Sequence, residues 1–170
     1  MKRHVVLVGL PGSGKSTVAR LAALQLHAAV SDTDAIVTSV TARTIAAVFA
    51  ELGEAEFRKL ERAAMTGALA AAPHIIAPGA GWIAQRGNLE AAAGALLLYL
   101  RVAPEVAAAR LSAGEERPLV SSGDPVARMT ALFDARESWY TRAEGVVDAM
   151  QPVEEVARQV VGMARDRAGW

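Results

Sequence analysis

The nonapeptide Gly9-Leu10-Pro11-Gly12-Ser13-Gly14-Lys15-Ser16-Thr17 constrains this chain more than any other stretch. The apolar run His4-Val5-Val6-Leu7-Val8 before it reads as a buried strand, and Val18-Ala19-Arg20-Leu21-Ala22-Ala23-Leu24 after it reads as a helix. Its spacing fits G-x-x-x-x-G-K-[ST], the phosphate-binding P-loop, in the strand–loop–helix context that the motif requires. Glycines let backbone N–H groups turn inward around a phosphate with no Cβ in the way. The helix N-terminus adds unpaired donors and the positive end of a dipole. Gly12, Ser13, Gly14, Lys15, Ser16 and Thr17 are therefore the expected nucleotide-binding residues. Lys15 is placed to reach the β- and γ-phosphates, and the Ser16 hydroxyl to ligate Mg²⁺. A glycine-rich turn that matches by accident is the competing reading, and the flanking strand and helix disfavour it.

The 170 residues suffice for one domain with a sizeable core, and a composition 52% hydrophobic and 21% charged is that of a globular chain. The formal net charge is zero, so no polybasic surface points to nucleic acid, and positive charge must be focused within a site. Absence of cysteine removes disulfides, thiolate metal sites and cysteine catalysis. Met1-Lys2-Arg3 is too short for a signal peptide, and no apolar run reaches membrane-spanning length. These features predict a soluble, cytoplasmic, monomeric protein with a small-molecule substrate and no nucleic-acid or membrane partner.

Ala29-Val30-Ser31 reads as a second strand that delivers Asp32-Thr33-Asp34. Two carboxylates at i and i+2 share a side of an extended segment and diverge as the chain turns, so one is free for a metal and the other for a substrate. Asp is also a favoured helix N-cap. Behind a P-loop, at the carboxyl end of the next strand, the functional reading is the better one, because ligands of open α/β sheets bind there. Residues 35–40 and 45–52 read as short helices, and Gly53 begins a longer one to about residue 71, with Phe57, Leu60 and Ala64 as its apolar stripe. Arg58 and Glu61, i and i+3, form either a held guanidinium or a solvated surface pair.

His74-Ile75-Ile76-Ala77 is a buried strand ending in Pro78-Gly79-Ala80-Gly81-Trp82, where the glycines suit close approach to a ligand or a plain turn. The tract 89–100, broken by Gly94, reads as helix end, turn and a fourth strand at 96–100. Pro104 opens a helix to about residue 111. Residues 112–124 are polar and long for a loop, and read as a lid carrying Arg117, a phosphate clamp. A helix over 125–142 carries Arg136, 145–148 is a fifth strand, and Pro152 opens an amphipathic helix with Val153, Val156, Val160 and Ala164 on one face. His4, His27 and His74 read as unclustered and structural, and Trp139 and Tyr140 as packing. Alternating strands and helices imply a parallel sheet covered on both faces.

Taken together, Gly9 to Thr17, Asp32-Thr33-Asp34, Gly53-Glu54-Ala55-Glu56-Phe57-Arg58 with Glu61, Pro78-Gly79-Ala80-Gly81, Arg117-Pro118-Leu119, Arg136 with Tyr140, and Gln151-Pro152 resemble the shikimate kinase family in order and spacing over about residues 5–152. The resemblance implies an α/β P-loop fold, a three-layer α/β/α sandwich. Its five-stranded parallel sheet has order 2-3-1-4-5, with a lid at about 112–124 and an acceptor-binding helical region at about 33–62. It implies an ATP-dependent phosphotransferase that, with Mg²⁺, moves the γ-phosphoryl group to the 3-hydroxyl of shikimate in aromatic amino-acid biosynthesis. Carried onto this chain, Lys15, Asp34 and Arg117 are the catalytic residues, and Ser16 and Asp32 serve the metal. Arg58, Gly79, Ala80, Gly81 and Arg136 join Asp34 at the substrate, and Arg110, Gln151 and Pro152 lie by the adenine.

Several positions depart from the family pattern. Ala80 stands where a third glycine is usual, so a positive φ there would cost on the order of 1 kcal/mol. Trp82 is bulky beside it, Thr38 replaces a common Glu, Ala42 a common Gly, and Ser138 a common Pro. Those near the acceptor side make a same-fold kinase for another small polyol or cyclitol acid the competing reading. A nucleotide-binding regulatory protein without turnover is the third.

Overall fold

A computed structural model describes residues 1–113 and 123–170. The apolar run after Arg3 forms β1 (Val5–Val8), and none of its residues is more than 2% exposed. A strand with no wet face must be paired on both edges and covered on both sides. Its partners are β3 (Ile75–Ala77) and β4 (Leu96–Arg101), with β2 (Val30–Asp32) outside β3 and β5 (Gly145–Asp148) outside β4. The order is 2-3-1-4-5 and every pairing is parallel, so all five carboxyl ends lie along one edge.

The crossovers supply the covering layers. They include α1 (Lys15–Leu26), α2 (Thr33–Thr41), α3 (Ile45–Ala70), α4 (Asn88–Ala91), α5 (Pro104–Ser112), α6 (Pro125–Tyr140) and α7 (Val153–Ala168). α1 packs on α7, α5 on α6, and α2 on α3. α7 buries Val156, Val160 and Ala164 as its apolar spacing predicts, and its ends carry Glu154 and Glu155, then Arg165 and Arg167, matching the helix dipole. Among the described residues no single helix is long and apolar enough to cross a membrane. The apolar content of α2 and α3 serves a small core of their own, Val37, Val48 and Phe57, separate from the one around the sheet.

α3 is broken at Gly53 (φ 81°, ψ 167°), which matches the two helical readings on either side of it. Its buried row is Phe57, Glu61, Met65 and Ala68, not Phe57, Leu60 and Ala64. The expected stripe is off by one position because a carboxylate occupies an inward site that periodicity reserves for an apolar residue. Ala80 has no positive φ, whereas Ala42, the C-cap of α2, does (φ 52°), so the strain expected at Ala80 sits at Ala42.

The histidine reading is also corrected. His4 and His74 meet edge to face at 5.0 Å, and the His74 backbone N–H donates to His4 Nδ1 at 3.3 Å. His74 Nε2 pairs with Ser31 Oγ at 2.8 Å. The pair joins the amino ends of β1 and β3, away from the edge that carries the P-loop.

Two predictions follow from this architecture. Ala42→Gly relieves the left-handed strain and should stabilise the fold by about 1 kcal/mol, raising the thermal midpoint by about 2–4 °C. Burial first, and the neighbouring His74 second, push the pKa of His4 below 6.5. The unfolded chain then holds that proton more tightly, so this contribution is intact above 6.5 and is lost as pH falls through the folded value. His4→Asn keeps an acceptor but removes the titration, and should flatten the fall of thermal midpoint between about pH 7 and pH 5.

Candidate active site

The nucleotide end grows from the carboxyl end of β1. Asp32, Thr44 and Asp124 cap α2, α3 and α6 with side-chain oxygens, but Gly14 caps α1 with none. The first N–H groups of α1 therefore stay available to an anion. Gly12 and Gly14 hold φ of 78° and 89°, and a Cβ on Gly12 would stand 2.5 Å from the Ala107 carbonyl oxygen of α5. The buried Lys15 donates from Nζ to the carbonyls of Gly9 (2.9 Å) and Leu10 (3.0 Å), which keeps its charge inside the loop. Ser13 is buried beside it, and Thr17 lies on the exposed side of α1.

Asp32 combines the two roles that its sequence position left open. Its Oδ1 accepts the Ala35 backbone N–H at 3.1 Å and caps α2, while its Oδ2 accepts the Ser16 hydroxyl. Two hard oxygens thus meet where β2 ends and α1 begins. Among the described residues no group of three or more His, Cys, Asp or Glu forms a metal cage. The donor set fits Mg²⁺, which keeps waters and phosphate oxygens alongside one or two protein ligands. Arg20, which the sequence reading missed, donates from Nε to the Ser16 carbonyl at 3.1 Å and lines the same cleft. It sits one helical turn past Ser16, and that spacing was the available signal.

Arg110 reaches the segment that holds Gln151 and Pro152. Arg110 Nη2 donates to the Ala149 carbonyl at 2.9 Å, tying α5 to the segment that leads from β5 into α7. Gln151 turns its amide to Asp148 at 3.4 Å. The Met150 backbone N–H and that amide hold the Asp148 pKa below its ordinary value. Arg117 and the rest of the lid reading over 114–122 lie outside the described residues. At the ends of that reading, Ser112 closes α5 and Asp124 caps α6.

The acceptor end shares a cleft of about 1020 Å³ with Ser16 and Asp32. Asp34, in the first turn of α2, diverges from Asp32 as the strand becomes helix. Glu61 is 1% exposed and accepts from Arg58 Nη1 at 2.9 Å, while Arg58 Nη2 reaches Glu54 at 3.2 Å. The pair is buried rather than a solvated surface pair. Gly79 and Gly81 lie in close approach to the ends of these side chains, which any Cβ there would displace. A Cβ on Gly79 would collide with Glu61 Oε1 and stand 3.1 Å from Asp34 Oδ1. A Cβ on Gly81 would stand 2.6 Å from Arg58 Nη2.

The Gly79 N–H donates to Thr33 Oγ1 at 3.0 Å, locking the loop after β3 to the start of α2. Ala80 and Arg136 complete the wall. Trp82 does not enter the cleft. It is 1% exposed, packed in the main core, with its carbonyl accepting from Asn88 at 2.7 Å.

Burial drives the Glu61 pKa upward. Arg58 opposes that rise, and nearby Asp34 adds to it. A raised folded pKa means that this carboxyl favours the fold below its unfolded value, and that the benefit is lost as pH rises through the folded value. Ionising Glu61 therefore costs stability.

With the cleft described, its likeness to known proteins is informative. The family model described as shikimate kinase matches residues 11–165. This chain belongs to the shikimate kinase family. It is 34% identical over 161 residues to the shikimate kinase of Caldanaerobacter subterraneus subsp. tengcongensis, with 94% of each chain covered. It is likewise 34% identical to that of Rhodococcus erythropolis, covering 98% of this chain and 100% of the other. The fold matches the shikimate kinase from Acinetobacter baumannii in complex with shikimate at a TM-score of 0.92 and 25% identity, covering 98% of this chain and 94% of that one. Family membership makes the chain an ATP-dependent kinase.

Glu61→Gln in this shikimate kinase fold should leave the thermal midpoint at neutral pH unchanged or higher, since a neutral amide is cheaper to bury. The acceptor KM should nonetheless rise about tenfold, because Arg58 loses the charged partner that orients it. Differential scanning fluorimetry beside steady-state kinetics reads both effects.

Proposed function

We propose that the chain transfers the γ-phosphoryl group of ATP to the 3-hydroxyl of shikimate, giving shikimate 3-phosphate and ADP. One observation carries the reading. Ser16 of the P-loop and the acceptor-side Asp34, Arg58 and Arg136 open into a single cleft. The relative with shikimate in its complex, similar over nearly the whole chain, supports the acceptor. Ala80 carries no backbone strain, though its methyl group lines the cleft, and the inward Trp82 removes one reason to expect a different acceptor.

In this reading Lys15 and the N–H groups of α1 neutralise the transferring phosphates. Ser16 and, through water, Asp32 would hold Mg²⁺, which when bound would supply neutralising charge to the phosphates. Arg58 and Arg136 take the substrate carboxylate, a bidentate task that suits guanidinium. Asp34 orients the 3-hydroxyl and accepts its proton as that oxygen bonds to the γ-phosphorus and the bond to ADP breaks. The backbone of Gly79, Ala80 and Gly81 lines the ring. Arg110, Gln151 and Pro152 flank the adenine, and Arg117 is assigned to the phosphates on the sequence resemblance. The lid at about 112–124 and the helical region at about 33–62 belong to one domain spanning 1–170. The same reading makes the enzyme cytoplasmic and monomeric.

ADP release from Mg-ATP, with and without shikimate, tests this. Shikimate-dependent release is expected, absent in Lys15→Ala. Asp34→Asn should lower kcat by at least about 10²-fold, the usual worth of a positioned base. Arg58→Ala should raise the shikimate KM by about 10- to 10²-fold, the worth of a charge-assisted pair. Nucleotide binding without shikimate-dependent release would reject the proposal.

A further inference from the structure

Tyr140 is the last residue of α6, one turn beyond Arg136, and is fully buried. A buried phenol needs a partner for its O–H, and this one does not find it on its own helix. It donates to the backbone carbonyl of Ala80 at 3.0 Å, across 60 residues of sequence. Its ring stacks on Tyr99 of β4, with centroids 5.1 Å apart and planes 15° apart. Tyr99 pairs in register with Val8, the residue before the P-loop, so the phenol rests on the stiffest part of the sheet. Burial pushes its pKa up to about 12, while the charge of the neighbouring Arg136 opposes that rise. The hydroxyl is therefore a donor throughout the working pH range.

Arg136 itself lines the acceptor cleft, and its buried Nη1 has no hydrogen-bond partner among the described residues. Ala80 lies between Gly79, packed against Asp34 and Glu61, and Gly81, packed against Arg58. One hydroxyl thus joins the 79–81 loop, against which Asp34, Glu61 and Arg58 pack, to the helix that carries Arg136.

We propose that Tyr140 is a positioning residue for the acceptor. Its hydroxyl sets the distance between the Arg136 guanidinium and the 79–81 backbone, so that the two carboxylate-binding arginines face each other at a fixed span. The proposal rests on the shikimate reading above for the identity of the acceptor. The tyrosine does not touch the reacting atoms and acts through Ala80 and Arg136. Ring burial alone would be served equally by phenylalanine, so only the hydroxyl carries the claim.

Tyr140→Phe keeps the stack on Tyr99 and deletes one oxygen. The KM for shikimate should rise about tenfold, the worth of one buried hydrogen bond, with kcat and the KM for ATP within about twofold of the parent. Combining it with Arg136→Lys should raise the shikimate KM by less than the product of the two single effects, since both act on one guanidinium. A shikimate KM within twofold of the parent, or an equal rise in both substrates' KM, would overturn the proposal and leave Tyr140 a packing residue. If the parent protein does not turn over shikimate, the substrate reading fails. Tyr140 is then decided by backbone amide exchange in 79–82. Faster exchange there in Tyr140→Phe, with β1 and β4 unchanged, supports the positioning role, and unchanged exchange there overturns it.

Discussion

The dry central strand is the constraint on which the rest of this structure depends. Val5 to Val8 lose contact with water on both faces, so their backbone groups must be paired on both edges and their side chains covered by helices on both sides. Parallel pairing forces each connection to cross the sheet, and every crossover begins at the same edge. Gly9, Asp32 and Pro78 are each the residue at, or just past, the end of a strand for that one reason. A cleft lined by a phosphate loop, a metal-side carboxylate and an acceptor wall is then a consequence of topology before it is one of chemistry.

Charge is concentrated along that edge although the chain as a whole is neutral. Arg20, Arg58 and Arg136 line one cleft with Asp32, Asp34 and Glu61, and Lys15 is buried in the neighbouring P-loop. Within low-dielectric walls each interaction is stronger than at the surface, and an unmatched charge is correspondingly costly. Gly79 and Gly81 leave the ends of Glu61 and Arg58 where they are, because a side chain at either position would displace them. Glu61 is held deep enough that its own ionisation works against the fold, while its bond to Arg58 orients the guanidinium. Stability and function pull in opposite directions at this residue, as they commonly do in active sites.

The helices after β2 form a smaller unit with a core of their own, Val37, Val48 and Phe57. Thr33 with Gly79 and Arg58 beside Gly81 tie it to the loop after β3, and the far end of α3 sends Met65 and Ala68 into the main core. A unit with few buried apolar residues opens at lower free energy than the main core. The left-handed Ala42 and the break at Gly53 bound the segment in which such an opening would be absorbed. Tyr140 ties the 79–81 loop to α6 and stacks on Tyr99 of the sheet.

Local pattern carried much of this. The P-loop, the strand at 145–148, the proline-started helices and the break at Gly53 were legible because each rests on neighbours within a turn or a strand. The order 2-3-1-4-5 came from family resemblance, since no local pattern encodes which strands become neighbours. What the sequence by itself determined is the phosphate-binding end, whose glycines, lysine and serine act within nine consecutive residues. Tertiary structure alone decided that Glu61 is buried rather than Leu60, that Trp82 turns inward, that strain falls on Ala42 rather than Ala80, and that His4 meets His74. It alone joined Thr33 to Gly79 across 46 residues and Tyr140 to Ala80 across 60. Such contacts are set by the summed burial of the whole domain, and no periodicity of 2 or 3.6 residues carries information over that distance.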